Sequence, residues 1–559
     1  MDQETLSSDS ALHTLLKTNR PPTDQETAII RESMAPAQAK LKDVETQISD
    51  TVEHIQALKA QVEQAEIKLQ RLREEEAAIL ETFADHRRVF SPFRNLPEDV
   101  LREICIACVK CDMPTLKYRG RTPLPYVLAQ ISSGLRNIAL TTPRVWASMK
   151  VWIGGFFLHS PEQYHQAYSI LAQKASKWFE RAGSLALTVS IEDFSFIREG
   201  TEDSESDHPN ILFDALLSCS TRWKELQFAS HCTVAFTPML RIAALTAVDV
   251  PLLKSVSLCF DNPISDPVFL NSEFLSLPSL RHVTLQTWAI REFTINWAVL
   301  ASVTLRGITH LYHYYTRSEI AGILQQTKCL EFCDITVGSN RSGEHISNTI
   351  SLPFLKTFIL DERLLETTLS GTGSPSILDE IIAPILEIFD IRHTFHDLSL
   401  TDFLKRSPQI AKLCFPYFGK DKSLTDAIRF LRLCPSLTTL SVQPGNKRWV
   451  MASPFDADYF LRAFVEEGDA AVSSLSDAGV LCPRLQTFDF KGNVNFSLKT
   501  LRLFFEAKHG ENAAPYVSPW KKVLVYIKAI KETEIRQQIF DLVSQKQAAG
   551  LDVEVVTVE

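Results

Sequence analysis

The chain has 559 residues, of which 45% are hydrophobic and 22% are charged, and its net charge is −9. This composition is typical of a multidomain globular protein, and the negative charge argues against nucleic-acid binding as the main function. No apolar run approaches the ~18 residues that cross a bilayer. The first residues are polar and lack the features of a signal peptide, so we expect a cytoplasmic or nuclear protein that makes no membrane contact.

The N-terminal part predicts a tail followed by one long helix. Residues 1–26 are polar and are expected to form a flexible tail, whereas residues 27–90 lack glycine and show a seven-residue apolar period. The a and d positions of this pattern are Leu41, Val44, Ile48, Thr51, Ile55, Leu58, Val62, Ala65, Leu69, Leu72, Glu76, Ile79 and Phe83. Such a pattern is typical of a coiled coil. Two interpretations are open: a homodimer formed through residues 41–83, or packing of the stripe on the chain's own domain.

Residues 91–150 predict a small helical module. A helix is expected to start near Pro97, because proline loses no hydrogen bond in the first turn and the acidic pair after it favours the positive end of a helix. A second amphipathic helix is predicted from about Tyr126 to Leu140. Two short helices bury little apolar surface alone, so this module is expected to need a partner.

The module resembles an F-box domain, particularly those of the F-box-like proteins of mushroom-forming fungi. The pattern LP-x-x-VL-x-x-I at 96–104, the second predicted helix and TPRVW at 142–146 carry the likeness. F-box domains bind an SKP-type adaptor, which connects them to a cullin–RING ubiquitin ligase. The resemblance implies an adaptor-binding group of Leu96, Pro97, Val100, Leu101 and Ile104, supported by Ile131 and Trp146. The alternative is that this stripe packs on the chain's own repeat domain.

Residues 151–559 predict an α/β leucine-rich-repeat solenoid of strand–helix units. The template apolar-x-x-apolar-x-apolar recurs eleven times from Trp223 to Val525, with helical stretches such as 316–326 and 424–433 between its copies. One long step implies an insertion near residues 449–477. The alternative is a set of chance matches in a hydrophobic chain.

The middle polar position of each template is expected to point outward from the strands. This column includes Asp334, Asp390 and Asp489, which are candidate contacts for a target protein that carries basic or hydrogen-bonding groups. Solvated carboxylates without a ligand are the simpler interpretation.

The sequence offers no strong catalytic or metal-binding set. The cysteines at 105, 108 and 111 and the histidine pairs at 310/313 and 393/396 lack further ligands at metal-site spacing. We expect a protein that is not an enzyme and that needs no cofactor. The expected function is substrate recognition in an SCF-type ubiquitin ligase; the alternative is a non-ligase scaffold with a degenerate F-box, favoured by Gly134 and Leu135, where the family often has V-C-x-x-W-R.

Overall fold

The computed structural model describes residues 8–18, 20–89, 96–154, 160–194, 208–231, 237–260, 272–288, 290–308, 314–338, 349–363, 376–392, 397–417, 421–444, 455–465, 481–492, 494–508, 517–528 and 533–558. The chain divides into two compact units, Met1–Pro97 and Glu98–Glu559. The first unit contains two helices, α1 (Ser8–Thr18) and α2 (Asp24–Val89).

The structure confirms the long helix and replaces part of the expected tail with α1. The start of α2 is fixed by Glu26, which accepts hydrogen bonds from the Thr23 backbone amide and from the Arg20 guanidinium. The hydrogen bond from Arg20 is the main reason that the pKa of Glu26 falls to about 2. This arrangement satisfies an orphan amide at the helix start, so α2 begins three residues earlier than expected.

The second unit alternates strands and helices. Its helices are α3 (Glu98–Cys111), α4 (Leu124–Ile131), α5 (Ser133–Thr141), α6 (Pro161–Arg181), α7 (His208–Leu217), α8 (Thr237–Ala243), α9 (Arg317–Leu324), α10 (Asp397–Arg406), α11 (Asp421–Leu431), α12 (Asp458–Arg462), α13 (Leu498–Glu506) and α14 (Thr533–Ala548).

The strands are β1 (Thr115–Leu116), β2 (Ser148–Gly154), β3 (Leu187–Phe194), β4 (Trp223–Ser230), β5 (Ser255–Phe260), β6 (His282–Gln286), β7 (Ser302–Arg306), β8 (Phe332–Gly338), β9 (Ile350–Ser351), β10 (Thr357–Arg363), β11 (Ile381–Ile382), β12 (Ile388–Ile391), β13 (Lys412–Tyr417), β14 (Thr439–Pro444), β15 (Phe455–Asp456), β16 (Thr487–Lys491), β17 (Val494–Asn495), β18 (Lys522–Lys528) and β19 (Asp552–Val558).

Fifteen of these strands form one parallel sheet in the order β1-β2-β3-β4-β5-β6-β7-β8-β10-β12-β13-β14-β16-β18-β19. Every one of the eleven template copies forms a strand of this sheet. The inward apolar side chains of successive strands are buried in one continuous core, as Val256 and Leu258 are in β5. This α/β architecture with a long parallel sheet is compatible with a solenoid-like repeat. The 3₁₀ turns Ile290–Glu292 and Trp297–Val299 replace a helix between β6 and β7, where the template step is shortest.

Four strands of the sheet do not correspond to any of the eleven template copies. One is the two-residue β1, and the others are β2, β3 and β19, each for an identifiable reason. In β3 a register irregularity at Leu187/Thr188 removes one residue from the spacing. In β19 the first apolar position is taken by Gly550, whose φ of +88° suits glycine and strains other residues. In β2 the spacing is present as Trp146, Met149 and Val151, but Trp146 carries part of the F-box resemblance and this copy is not among the eleven that the sequence analysis counts.

Two expected boundaries within the helical module differ from the structure. The boundary at 150/151 falls inside β2, because β1 and β2 are hydrogen-bonded members of the large sheet. The helix expected at 126–140 is broken at Ser132, which has an extended backbone and whose hydroxyl accepts a hydrogen bond from the Leu135 amide. Ser132 is therefore an N-cap, and α4 and α5 are separate helices.

Candidate interaction surfaces

Helix α3 is apolar on two opposite sides. Cys105, Ile106 and Val109 are buried in the core of the second unit. The opposite side, which we call the outer face of α3, consists of Val100, Ile104, Ala107, Cys108 and Cys111, none of which is buried. Residues spaced by three and four positions share one side of a helix, so this face is a continuous apolar strip.

The expected adaptor-binding residues are mostly accessible. Val100 is 40% exposed, Pro97 is exposed, and Leu96 and Ile104 are half-buried. Leu101 is also half-buried but packs against the core, so it has a structural role as well. Helical spacing in the sequence already places Ala107 and Cys108 in one apolar stripe with Val100 and Ile104, whereas sequence reasoning missed Cys111 as the continuation of this stripe.

Helix α4 also presents apolar side chains to solvent. Val127 and Ile131 lie four residues apart on this helix and are 39% and 63% exposed, while Leu128 and Ala129 are buried. Helix α4 packs against α3. The module thus leaves large aliphatic side chains of two adjacent helices uncovered within the described residues.

Trp146 lies inside the module. Its side chain is fully buried, its indole Nε1 donates to the Ala139 carbonyl oxygen at 2.7 Å, and its ring packs edge-on against Trp178 at a centroid distance of 4.7 Å. The Arg181 guanidinium lies 4.6 Å from the ring centroid. Trp146 therefore supports the module from within and offers no contact surface, which corrects any expectation of a direct role in binding.

The middle outward positions of the templates, which are mostly polar, form one uninterrupted column across the sheet. Strand pairing aligns them in register as Gln227, Ser257, Thr284, Thr304, Asp334, Ile359, Asp390, Cys414, Ser441, Asp489 and Leu524. The register confirms the column read from the sequence. We call the side of the sheet that carries this column its polar face.

Asp334 is not available to a ligand. Its side chain is 4% exposed, and its Oδ2 lies 2.6 Å from the Arg306 Nη2 and 3.6 Å from the Arg392 Nη1. A carboxylate held by two guanidinium groups is internally neutralised. This corrects the expectation that Asp334 contacts a target.

Asp390 and Asp489 line a depression of about 440 Å³ on the polar face, which extends over β10 to β18. Asp390 pairs with Arg392 at 3.5 Å and Asp489 with Lys491 at 3.4 Å. One Asp489 oxygen, Oδ1, is buried and has no hydrogen-bond partner among the described residues. The lining of the depression also includes Lys412, Cys414, Ser441 and Lys522.

The depression therefore carries both signs of charge. A second row of paired residues lies beside the column that carries the aspartates and consists of Lys412, Thr439, Thr487 and Lys522. The two lysines are at the ends of this row. Two ammonium groups oppose two carboxylates, so the lining favours no single sign of ligand charge. The charges of this lining give no support to basic groups on the target over acidic ones, and they leave the expectation of hydrogen-bonding groups untested.

Cys414, between the two aspartates, is poorly suited to nucleophilic chemistry. Burial, followed by the nearby Asp390 charge, raises the pKa of its thiol to about 12. The thiol is therefore protonated at neutral pH, whereas nucleophilic cysteines act as thiolates.

Among the described residues, no group of three or more His, Cys, Asp or Glu side chains is arranged to hold a metal ion. Cys105 is buried while Cys111 is exposed, so these two residues of the sequence triplet face opposite ways. Residues 310, 313, 393 and 396 lie outside the described residues. No helix in the described part of the chain has the length and apolarity needed to cross a membrane.

A scan against protein-family models found no match, and a search of curated proteins found no relative of this chain.

Proposed function

We propose that this protein is a substrate-recognition subunit of an SCF-type ubiquitin ligase, in which α3 and α4 bind an SKP-type adaptor and the polar face of the sheet binds the target protein. The observation that carries the proposal is the outer face of α3, a continuous apolar strip none of whose residues is buried and in which Val100, Ala107 and Cys111 are exposed. Helix-on-helix docking of such a strip provides affinity through apolar burial.

The exposed side chains suit this role energetically. Fully burying an exposed aliphatic side chain stabilises by roughly 1.5–3 kcal/mol, and Val100 and Ile131 are 40% and 63% exposed. A partner that covers both side chains gains the fraction of this free energy that corresponds to their exposed surface. The opposite side of α3 is anchored in the core through Ile106 and Val109. The helix therefore does not have to become ordered when a partner binds, and binding does not incur that entropy cost.

The target site of the proposal is the depression on the polar face. Asp390, Asp489, Lys412 and Lys522 offer two carboxylates and two ammonium groups to a peptide that carries both charges. The chemistry of ubiquitin transfer would belong to other subunits, with this chain contributing proximity.

A second candidate function is a scaffold that has lost adaptor binding. It is favoured by the break at Ser132 and by Leu135, whose side chain is buried in the chain's own core where the F-box family often carries a tryptophan. In this alternative the outer face of α3 binds a different helical partner.

The two functions are separated by binding of purified SKP-type adaptor to the full chain. The variant Val100→Asp/Ile131→Asp places two charges in the contact surface and should weaken adaptor binding by about a hundredfold, a loss typical of central contact residues. The matched control is Lys177→Asp, on an exposed position of α6 outside the strip. Unfolding midpoints of all three proteins should agree within a few degrees, because the substituted side chains are exposed.

Adaptor binding that is unaffected by the double substitution, or absent in the unmodified chain at ~10 μM adaptor, contradicts the ligase proposal. Absence of binding together with intact folding supports the scaffold instead.

A further inference from the structure

The longest unpartnered apolar surface of the described residues is the stripe along α2. All thirteen of its a and d positions, from Leu41 to Phe83, are exposed. The stripe spans about six heptads, which exceeds the three or four heptads that support a coiled coil. The stripe repeats every 3.5 residues, which is the period of the seam, the line of contact between two supercoiled helices. On a single straight helix, apolar residues with this period would drift around the helix surface.

The sequence of the stripe distinguishes the two possible orientations of a helix pair. In an antiparallel pair, each a residue packs against a d residue of the partner. If residues whose numbers add up to 127 face each other, the layers are Ile48 with Ile79, Ile55 with Leu72, Leu58 with Leu69, Val62 with Ala65, and Val44 with Phe83. In this register the two polar exceptions, Thr51 and Glu76, face each other.

Pairing the exceptions matters because a polar side chain in an apolar seam needs a partner. The Thr51 hydroxyl donates to the Gln47 carbonyl oxygen at 2.6 Å in the single chain, and by rotating it can donate to the Glu76 carboxylate of the second chain instead, a contact that occurs twice by symmetry. Shifting the register by one heptad places Glu76 against Val44 or Leu58 instead. The antiparallel register is therefore specified by the two residues that break the apolar pattern.

The flanking charges agree with this register. In antiparallel pairs, e positions face e positions and g positions face g positions. Lys59 then faces Glu66 of the second chain, and His54 faces Glu75. No two like charges meet at these flanking positions.

The parallel orientation is less favourable. Glu76 would face the Glu76 of the second chain within the seam, and Lys68 would face Arg73. Each of these contacts brings like charges together, which destabilises the pair.

We infer that α2 pairs with a second copy of this chain as an antiparallel coiled coil, with its two-fold axis between Glu63 and Gln64. The second copy is the occupant that both the seam and the flanking charges fit, since the stripe is complementary to itself. The inference is independent of the proposed ligase function.

The first test is the mass of the full chain in sedimentation equilibrium, where the expected particle has twice the 63.0 kDa of one chain. Lys59→Glu places a second carboxylate against Glu66 at two symmetric contacts and should raise the dimer dissociation constant about tenfold. Glu66→Lys should have the same effect, and the combined exchange Lys59→Glu/Glu66→Lys should restore dimerisation. The matched control is Lys42→Glu, which makes the same charge change at position b, away from the seam.

The charge exchange also separates the orientations. In a parallel pair Lys59 faces His54, so Lys59→Glu would not weaken it. Distance measurement provides an independent readout, with a spin label introduced at Thr46 through a ketone side chain so that native cysteines are not labelled. The antiparallel register places the two labels about 52 Å apart along the axis, and the parallel one places them at about 20 Å.

A monomer at all concentrations up to ~100 μM overturns the inference, because a seam of this length should associate well below that value. A dimer that tolerates Lys59→Glu, or whose labels lie at about 20 Å, overturns the antiparallel register.

Discussion

Arg317 and Glu380 form an ion pair in which both side chains are more than nine-tenths buried. Arg317 is the first residue of α9, and Glu380 directly precedes β11. Burial raises the pKa of Glu380, and the Arg317 charge opposes that shift. The pair therefore links a helix to a strand that is 63 residues further along the chain.

Removing one partner of this pair should destabilise the protein strongly. Arg317→Met leaves the Glu380 carboxylate buried without its cation, and we expect the free energy of unfolding to fall by about 3 kcal/mol. Chemical denaturation measures this change. The double variant Arg317→Met/Glu380→Leu should recover most of the loss, and an equal loss in single and double variants would contradict the assignment.

The break between α4 and α5 depends on Ser132. Ser132→Ala removes the hydroxyl that accepts from the Leu135 amide at 3.2 Å, and we expect a loss of about 1 kcal/mol in unfolding free energy. Ser133→Ala is the matched control, because this exposed serine is the first residue of α5 and is not its cap. Equal effects of the two substitutions in denaturation would argue against a capping role.

Lys508 should make stability depend on pH. Its side chain is 1% exposed and its Nζ donates to the carbonyl oxygens of Cys482 and Leu485 at 2.9 and 3.0 Å. Burial lowers its pKa to about 8 from 10.5. The folded state therefore binds fewer protons than the unfolded state between pH 8 and 10.5, and the cost of burying the charge is relieved as pH rises through that range.

We expect the free energy of unfolding of the unmodified protein to rise by about 2 kcal/mol relative to Lys508→Met between pH 7 and 9.5. Parallel denaturation series measure this difference in slope. The variant also loses two hydrogen bonds, so only the pH dependence, and not the absolute stability, is diagnostic. Identical slopes would show that Lys508 titrates normally.

The cysteines should react with iodoacetamide in an order set by burial. Cys111 and Cys329 are exposed, whereas burial raises the pKa of Cys434 to about 12 and that of Cys414 to about 12. Mass spectrometry at pH 7.5 should find the exposed pair modified first, since the thiolate is the reactive form. If the outer face of α3 binds the adaptor, adding it should protect Cys111 while Cys329, the internal control, stays reactive.

Much of the sheet could be predicted from the sequence because its inward positions repeat with fixed spacing. Each of the eleven template copies lies in a strand of the fifteen-stranded sheet, and the strand register aligns the column from Gln227 to Leu524. Chemical pattern alone could not locate β3 or β19, where a backbone irregularity and Gly550 changed the spacing.

The candidate sites were less predictable, because exposure depends on packing between distant segments. Asp334 and Asp390 occupy equivalent template positions, yet Asp334 is buried between Arg306 and Arg392, whereas Asp390, which shares Arg392, lines a depression. Similarly, the residues on both sides of α3 are apolar, and only the fold distinguishes the buried Ile106 from the exposed Val100.

Strands β1 and β2 belong to the same hydrogen-bonded ladder as the rest of the sheet, with Thr115, Lys150 and Ser190 paired in register. The helices that carry the apolar strip are thus joined to the sheet by backbone bonds and by the Trp146 cluster, without an intervening linker. If the outer face of α3 and the polar face of the sheet each bind a molecule, the hydrogen-bonded sheet between them would hold the two molecules at a fixed distance.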